Sequence, residues 1–132
     1  MTNGESLQKL IKALLEGDDP KEQVLAAHNL GKLGDRDAVD PLITALADEN
    51  LYVRKAAVEA LAVLGDWKAV DPILQRLEDA DLYVRQAAAS ALGELGEMRA
   101  EEFLQERLKI EPELIVRHAI KVALARLAGG DT

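Results

Sequence analysis

Residues 38–65 read AVDPLITALADENLYVRKAAVEALAVLG, and residues 69–96 repeat this stretch as AVDPILQRLEDADLYVRQAAASALGELG. The two segments are identical at 16 of 28 positions, with a constant offset of 31 residues. A fixed period of this length is typical of repeat proteins, in which each unit is one supersecondary element. The repeat therefore indicates the fold class before any single residue is interpreted.

Two degenerate copies flank this central pair. Upstream, Leu30 and Gly34 precede Leu61 and Gly65 by 31 residues, and downstream Val116-Arg117 repeats the Val-Arg of the third unit with one extra residue. The sequence predicts one repeat domain over residues 1–132, with units at about 5–34, 35–65, 66–96 and 97–128.

Each unit is predicted to be a helical hairpin, because a short apolar segment precedes one with apolar residues at i, i+3, i+4 and i+7. Asn50 and Asp81 occupy the N-cap positions of second helices, and Gly34, Gly65 and Gly96 follow their last residues. A hairpin cannot bury its own apolar face, so the units should stack into a solenoid. The predicted helix pairs are 5–16 with 20–33, 37–47 with 51–64, 68–78 with 82–95, and 100–110 with 113–128.

The motif that runs from Val53 to Pro72 contains Val-Arg-x-x-Ala-Ala, Ala-Leu-x-x-Leu-Gly-Asp and Ala-Val-Asp-Pro. It resembles the HEAT repeat superfamily, in particular the short HEAT-like repeats of the phycobilisome (PBS) lyase type, and the resemblance covers Leu7 to Ala128. It implies an all-α fold, an α-solenoid wound as a right-handed superhelix of four hairpins with about eight helices. It also implies a ladder between repeats, built from an acidic turn residue and an arginine six positions later. The pairs with this spacing are Asp48 and Arg54, Asp79 and Arg85, and Glu111 and Arg117.

Composition limits the possible functions. The net charge is −8, with 24 acidic and 16 basic residues, which disfavours binding to nucleic acid or anionic lipid because both depend on Lys and Arg. There is no cysteine and no uninterrupted apolar run of about 18 residues, as a membrane helix requires. We expect a cytoplasmic protein whose partner is another protein, basic or mixed in charge.

The sequence offers little for catalysis. The only two histidines, His28 and His118, lie three units apart, or on the order of 25–30 Å, and cannot share a metal ion. Each is followed by Asn or Ala, whereas iron-binding HEAT hydroxylases carry His-Glu dipeptides. The glycines fall at helix ends and not in a phosphate-binding loop. We therefore predict no catalytic residue, no metal and no cofactor.

A surface stripe on the second helices is the predicted partner-binding site, on the concave face that the family resemblance implies. Tyrosines are enriched at binding hot spots because they give a large rigid contact area. The alternative for both tyrosines is packing over the next helical turn. The stripe comprises Tyr52, Lys55, Glu59, Tyr83, Gln86, Ser90 and His118.

The function predicted from this stripe is that of a non-catalytic protein-protein interaction module or scaffold. The alternative, from the family resemblance, is a bilin lyase/isomerase-like or chromophore-handling subunit that acts with a second chain. With two Tyr, one Trp and one Phe, the chain has few aromatic side chains to hold a chromophore.

The two ends of the solenoid are expected to differ. Glu22 and Asn29 replace apolar core residues in the first unit and cap that end, whereas Leu114, Ile115 and Val122 make the last helix apolar nearly all round. This favours burial of the last helix against a second copy, as a homodimer across a two-fold axis. The alternative is that the last helix packs inward.

Trp67, in a turn between units, is expected to be a partly buried filler.

Overall fold

The computed structural model describes residues 3–129, with side chains from residue 4; the predicted domain ends, 1–2 and 130–132, lie outside the described residues. The described part contains no strand, and the predicted all-α solenoid of helical hairpins is confirmed. We number the helix pairs as repeats one to four. The helices are α1 (Asn3–Glu16), α2 (Pro20–Leu33), α3 (Val39–Ala45), α4 (Leu51–Leu64), α5 (Val70–Gln75), α6 (Leu82–Leu95), α7 (Ala100–Ile110) and α8 (Leu114–Leu127).

The first helices of the two central repeats are shorter than predicted. Residues Arg36–Ala38 and Trp67–Ala69 form 3₁₀ turns before α3 and α5, and Arg36 and Trp67 follow capping aspartates. Pro41 and Pro72 cannot donate a backbone hydrogen bond to the residue four positions earlier, so one continuous α-helix cannot form across the turn. The predicted single helices 37–47 and 68–78 were wrong in this respect.

The second helices begin and end where the sequence predicts, within one residue. The side chains of Asn50 and Asp81 each accept two backbone N–H bonds at the start of α4 and α6. Gly34, Gly65 and Gly96 have φ between +65° and +72°, a backbone conformation that glycine adopts without steric cost. No helix among residues 3–129 is both long and apolar enough to cross a bilayer.

Arginine–carboxylate contacts join consecutive repeats. Nη1 of Arg54 donates to the main-chain oxygens of Asp48 and Glu49 in its own turn, at 2.9 and 3.0 Å. Nε and Nη2 of the same side chain donate to both carboxylate oxygens of Asp79 in the next repeat, at 2.9 and 3.0 Å. One guanidinium group therefore fixes two successive turns at once.

The same contact recurs one repeat further along. Arg85 donates to the main-chain oxygen of Asp79 at 2.8 Å and to both carboxylate oxygens of Glu111 at 2.8 and 3.2 Å. In the first repeat Gln23 takes the place of arginine and reaches the carboxylate of Asp48 with a longer contact of 3.5 Å. Among the described residues, every buried side-chain nitrogen and oxygen has a hydrogen-bond partner.

The ladder carboxylates are held in the charged form. Burial raises the pKa of the Asp79 carboxyl, but hydrogen bonds from Arg54 and the Asp81 amide and the charges of Arg54 and Arg76 outweigh it, so that the pKa lies below its ordinary value. Burial likewise raises the pKa of Glu111, and hydrogen bonds from two arginines and a backbone amide lower it further than burial raises it. Such groups stabilise the fold above the ordinary carboxyl pKa of about 4, and this contribution is lost as the pH falls through the lower folded-state pKa.

Asp79→Asn tests this contribution because it keeps the side-chain shape and removes the charge. We expect the free energy of unfolding at pH 7 to fall by about 3 kcal/mol, as when a buried ion pair is broken. We also expect stability to depend less on pH below about pH 5. Urea unfolding at several pH values measures both effects. Asp37→Asn, at an exposed carboxylate without a partner among residues 3–129, is the control and should change neither. An unchanged acid dependence in Asp79→Asn would contradict the assignment.

Candidate protein-binding surface

The second helices form one continuous layer, in which α2 packs on α4, α4 on α6 and α6 on α8. The first helices pack mainly against the second helix of their own repeat, and their contacts across repeats are far less extensive. A stack that is tighter on one side curves toward that side. We call the solvent-exposed side of α2, α4, α6 and α8 the concave face.

Small residues allow this layer to be tight. A Cβ atom added to Gly31 would lie 3.3 Å from the Cα of Ala60 in the next repeat, and one added to Gly93 would lie 2.9 Å from the Cα of Ala123. The helix backbones therefore approach each other directly at these points. The layer leaves shallow grooves between its helices on the concave face.

Two grooves of the concave face are well defined. The first, of about 660 Å³, lies between α2 and α4 and includes Lys21, His28 and Val63 in its lining. The second, of about 500 Å³, lies between α4 and α6, and Glu94 lines it near the carboxyl end of α6. Glu59 and Val63 line both grooves, so the two grooves are neighbours on the concave face of the first three repeats.

The structure brings together four of the seven predicted partner-binding residues. These four line the groove between α4 and α6: Lys55, Glu59, Gln86 and Ser90. Tyr52 and Tyr83 lie in the first turns of α4 and α6, outside the groove lining, and are 62% and 49% exposed. His118 is exposed on α8 and lines neither groove. The exposure of the two tyrosines leaves much of each ring available to a partner.

Charge is distributed unevenly between the two sides of the solenoid. The four second helices contain eight of the 16 basic residues but only three of the 24 acidic residues, a net charge of +5. The remainder of the chain therefore carries −13. Three of the basic residues are the arginines at the ladder position of their repeats, Arg54, Arg85 and Arg117. The others reach solvent beside or on the concave face: Lys21, Lys32, Lys55, Lys121 and Arg126.

Several apolar residues differ from the sequence-based expectation. Val58 and Ala89 are fully buried although they lie outside the predicted i, i+3, i+4, i+7 pattern of apolar residues that begins at Val53 and at Val84. Trp67, expected to be a partly buried filler, is 72% exposed, and that prediction was wrong. Its side chain projects from the solvent side of a 3₁₀ turn, where the aligned Arg36 and Met98 are exposed as well.

A further groove, of about 510 Å³, lies on the opposite side between α5 and α7, where Phe103 and Ile110 are exposed. The sequence did not predict this groove because α7 has no close copy in the other repeats. In the part of the chain with described side chains, no three His, Asp or Glu residues converge closely enough to hold a metal ion.

The residues predicted for an oligomer interface separate into two groups. Leu114 is 80% exposed at the start of α8, and the aligned Leu82 is partly buried. Ile115 and Val122 are each 41% exposed and align with Tyr83 and Ser90, so they continue the concave face into the fourth repeat. Pairing with a second copy remains a prediction.

Comparison with known proteins identifies relatives of this architecture. The family model for HEAT repeats matches residues 7–66 and 46–125. A chain in the structure of the complex of CpcE and CpcF of phycocyanin lyase from Nostoc sp. PCC7120 aligns with a TM-score of 0.79 and 30% identity, over 98% of this chain and 54% of that chain. Human deoxyhypusine hydroxylase in complex with glycerol aligns with a TM-score of 0.82 and 22% identity, over 98% of this chain and 48% of that chain. This chain thus spans about half the length of each, and no curated protein matches it.

Gly93→Ala and Gly31→Ala test whether close backbone contact limits the second-helix layer. Both changes gain about 1 kcal/mol of helix propensity. At Gly93 the new methyl group would meet backbone at 2.9 Å and force α6 and α8 apart, at a cost of about 1–3 kcal/mol. We therefore expect Gly93→Ala to be net destabilising by about 1 kcal/mol and Gly31→Ala to be neutral or stabilising. Urea unfolding measures the difference, and equal effects would contradict the account.

Proposed function

The chain belongs to the HEAT-repeat family, and from that membership and the surface of its second helices we propose that it is a non-catalytic protein-binding module. The proposal rests chiefly on one observation, the two adjacent grooves that α2, α4 and α6 form on the concave face, lined by both charged and apolar residues. Repeat proteins of this kind commonly use extended concave surfaces to bind other macromolecules. The chain in the CpcE and CpcF complex that this protein resembles is itself bound to a second protein, which supports a protein partner.

The charge of the concave face indicates what kind of partner it fits. The overall charge of −8 favours a basic or mixed partner, but the groove between α2 and α4 is lined by Lys21 and Lys32 against a single Glu59 and would attract an acidic segment. Exposed apolar groups lie among these charges, with Leu25 at 58% and Val63 at 71% exposure. We therefore propose that the partner presents acidic residues interspersed with apolar ones.

Tyr52 and Tyr83 serve as anchors in this proposal. They lie one repeat apart at the same position of α4 and α6, next to the groove that Lys55 and Gln86 line. Each offers a ring and a hydroxyl group with only two side-chain torsions to fix, so binding costs little conformational entropy. His118, one repeat further along, extends the same surface onto α8.

A second candidate is a bilin lyase/isomerase-like or chromophore-handling subunit that acts with a second chain. The observation that favours it is the 30% identity to a chain of the phycocyanin lyase complex over 98% of this chain. Against it, Trp67 and Phe103 line neither concave groove, which leaves Tyr52 and Tyr83 as the aromatic residues of the concave face.

Site-specific photo-crosslinking in the producing cells tests the proposed surface, because the crosslink forms with whichever protein occupies it. A photoreactive phenylalanine analogue in place of Tyr83 should capture a protein, whereas the same analogue in place of Phe103, which is similarly exposed on α7, should not. Capture only from position 103 would place the site on the opposite groove and contradict the proposal.

Tyr52→Ala with Tyr83→Ala, measured against the captured partner, tests the anchors. We expect affinity to fall by about 30-fold or more, because truncation of a hot-spot residue typically costs about 2 kcal/mol or more. Thermal unfolding should remain close to wild type, because both side chains are exposed. Leu15→Ala, at an exposed residue of α1, is the control. Unchanged affinity in the double variant would remove the tyrosines from the site.

Titration with an open-chain tetrapyrrole distinguishes the second candidate. A protein-binding module should leave the visible absorbance and circular dichroism of the pigment unchanged, both alone and with its captured partner. Induced circular dichroism that disappears in the double tyrosine variant would instead support chromophore handling on the concave face.

A further inference from the structure

Each second helix carries a row of residues, spaced by four, that faces the next repeat. In α6 the row is Arg85, Ala89 and Gly93, of which Arg85 binds Glu111 and Gly93 lies against Ala123. Residues at i, i+4 and i+8 share one side of a helix, so Ala89 between them also faces the fourth repeat, which explains its complete burial. The equivalent row in α4 is Arg54, Val58 and Ala62.

In α8 the equivalent row is Arg117, Lys121 and Ala125. Nη1 of Arg117 donates to the main-chain oxygens of Leu108 and Glu111, at 2.8 and 3.1 Å. Its Nε and Nη2, the atoms with which Arg54 binds the next carboxylate, have no carboxylate partner among residues 3–129. Lys121 is exposed, whereas Val58 and Ala89, at the equivalent positions of α4 and α6, are buried. This end of the solenoid therefore presents two cations where the ladder would continue.

The opposite end has the complementary charge. Its inter-helix turn contains Glu16, Asp18 and Asp19, all exposed, with Gly17 at the position of the ladder carboxylates. Glu22 follows in the first turn of α2, at the position of the fully buried Val53, and is exposed as well. Lys21 is the one basic residue in this segment. We call residues 16–22 the acidic turn.

We propose that a second copy of this chain docks end to end on the first, with its acidic turn against Arg117 and Lys121. Inside the solenoid the turn of each following repeat brings a carboxylate to the arginine of the preceding one. A copy stacked with the same geometry brings its acidic turn to Arg117. The contact joins two different surfaces and therefore forms an open stack and not a closed dimer.

Charge also distinguishes this arrangement from a two-fold dimer through the same end. A two-fold axis that passes beside Arg117 and Lys121 would place these cations of one copy against the same two cations of the other, and like charges across an interface oppose association. End-to-end docking places opposite charges together. The apolar Leu114, 80% exposed beside this row, would be covered in the process.

Sedimentation equilibrium of the intact chain tests the proposal. The average mass of the wild type should rise above 14.3 kDa with concentration up to about 1 mM at about 0.02 M salt, pass the dimer mass without a plateau, and return to the monomer at about 0.5 M salt. Asp18→Lys with Glu22→Lys should weaken association about tenfold or more. Lys121→Glu should weaken it too, and none of these exposed side chains is needed for folding.

Asp37→Lys with Glu49→Lys is the matched control, because it makes the same change in net charge at exposed residues of the second repeat. It should associate like the wild type. Three results would overturn the proposal: a wild type that is monomeric at every concentration, a dimer plateau that Asp18→Lys with Glu22→Lys leaves unchanged, or an equal loss in the control. The second of these would indicate two-fold pairing.

Discussion

The bond between a second-helix arginine and the turn carboxylate of the next repeat is the interaction on which this fold depends. The planar guanidinium of Arg54 holds main-chain oxygens of its own turn with one nitrogen and both oxygens of Asp79 with the other two. Bidentate geometry of this kind sets orientation as well as distance. It fixes the register of the second helices relative to each other. Between the third and fourth repeats the corresponding register places Gly93 of α6 against Ala123 of α8. The tight inner layer and the curvature of the solenoid follow from it.

The segregation of charge has the same origin. Carboxylates are concentrated in the turns, where Asp19 and Asp81 provide N-cap oxygens and Asp79 and Glu111 bind the ladder arginines. Arg54 and Arg85 of the second helices bind ladder carboxylates, while Lys21, Lys32 and Lys55 of the same helices line the grooves of the concave face. Lysines at the groove between α2 and α4 favour contact with an acidic segment, although the molecule as a whole is acidic.

Much of the fold could be predicted because the 31-residue repeat places caps, glycines and apolar residues at equivalent positions in successive units. The direction of the ladder could not be predicted. A spacing of six residues between the acidic residue and the arginine of one repeat does not reveal that the guanidinium group binds the carboxylate of the following repeat. Burial of Val58 was missed for a related reason: it lies on the Arg54 side of α4, which meets the next repeat and not its own hairpin. The support that Arg76 and Arg107 give to the ladder carboxylates depends on the same three-dimensional arrangement. The candidate surface was predictable as a stripe, but its grooves depend on how the helices pack.

The claim that the concave face binds the partner is tested most directly by lysine reactivity in the free and partner-bound protein. Two groups of lysines distinguish the surfaces: Lys21 and Lys55 line the grooves of the concave face, whereas Lys12 and Lys68 lie on a first helix and in a turn before one. Acetylation quantified by mass spectrometry should show the first group protected on binding and the second unchanged, because only the concave face becomes covered. Protection of Lys12 or Lys68 with unchanged reactivity of Lys21 and Lys55 would contradict the account.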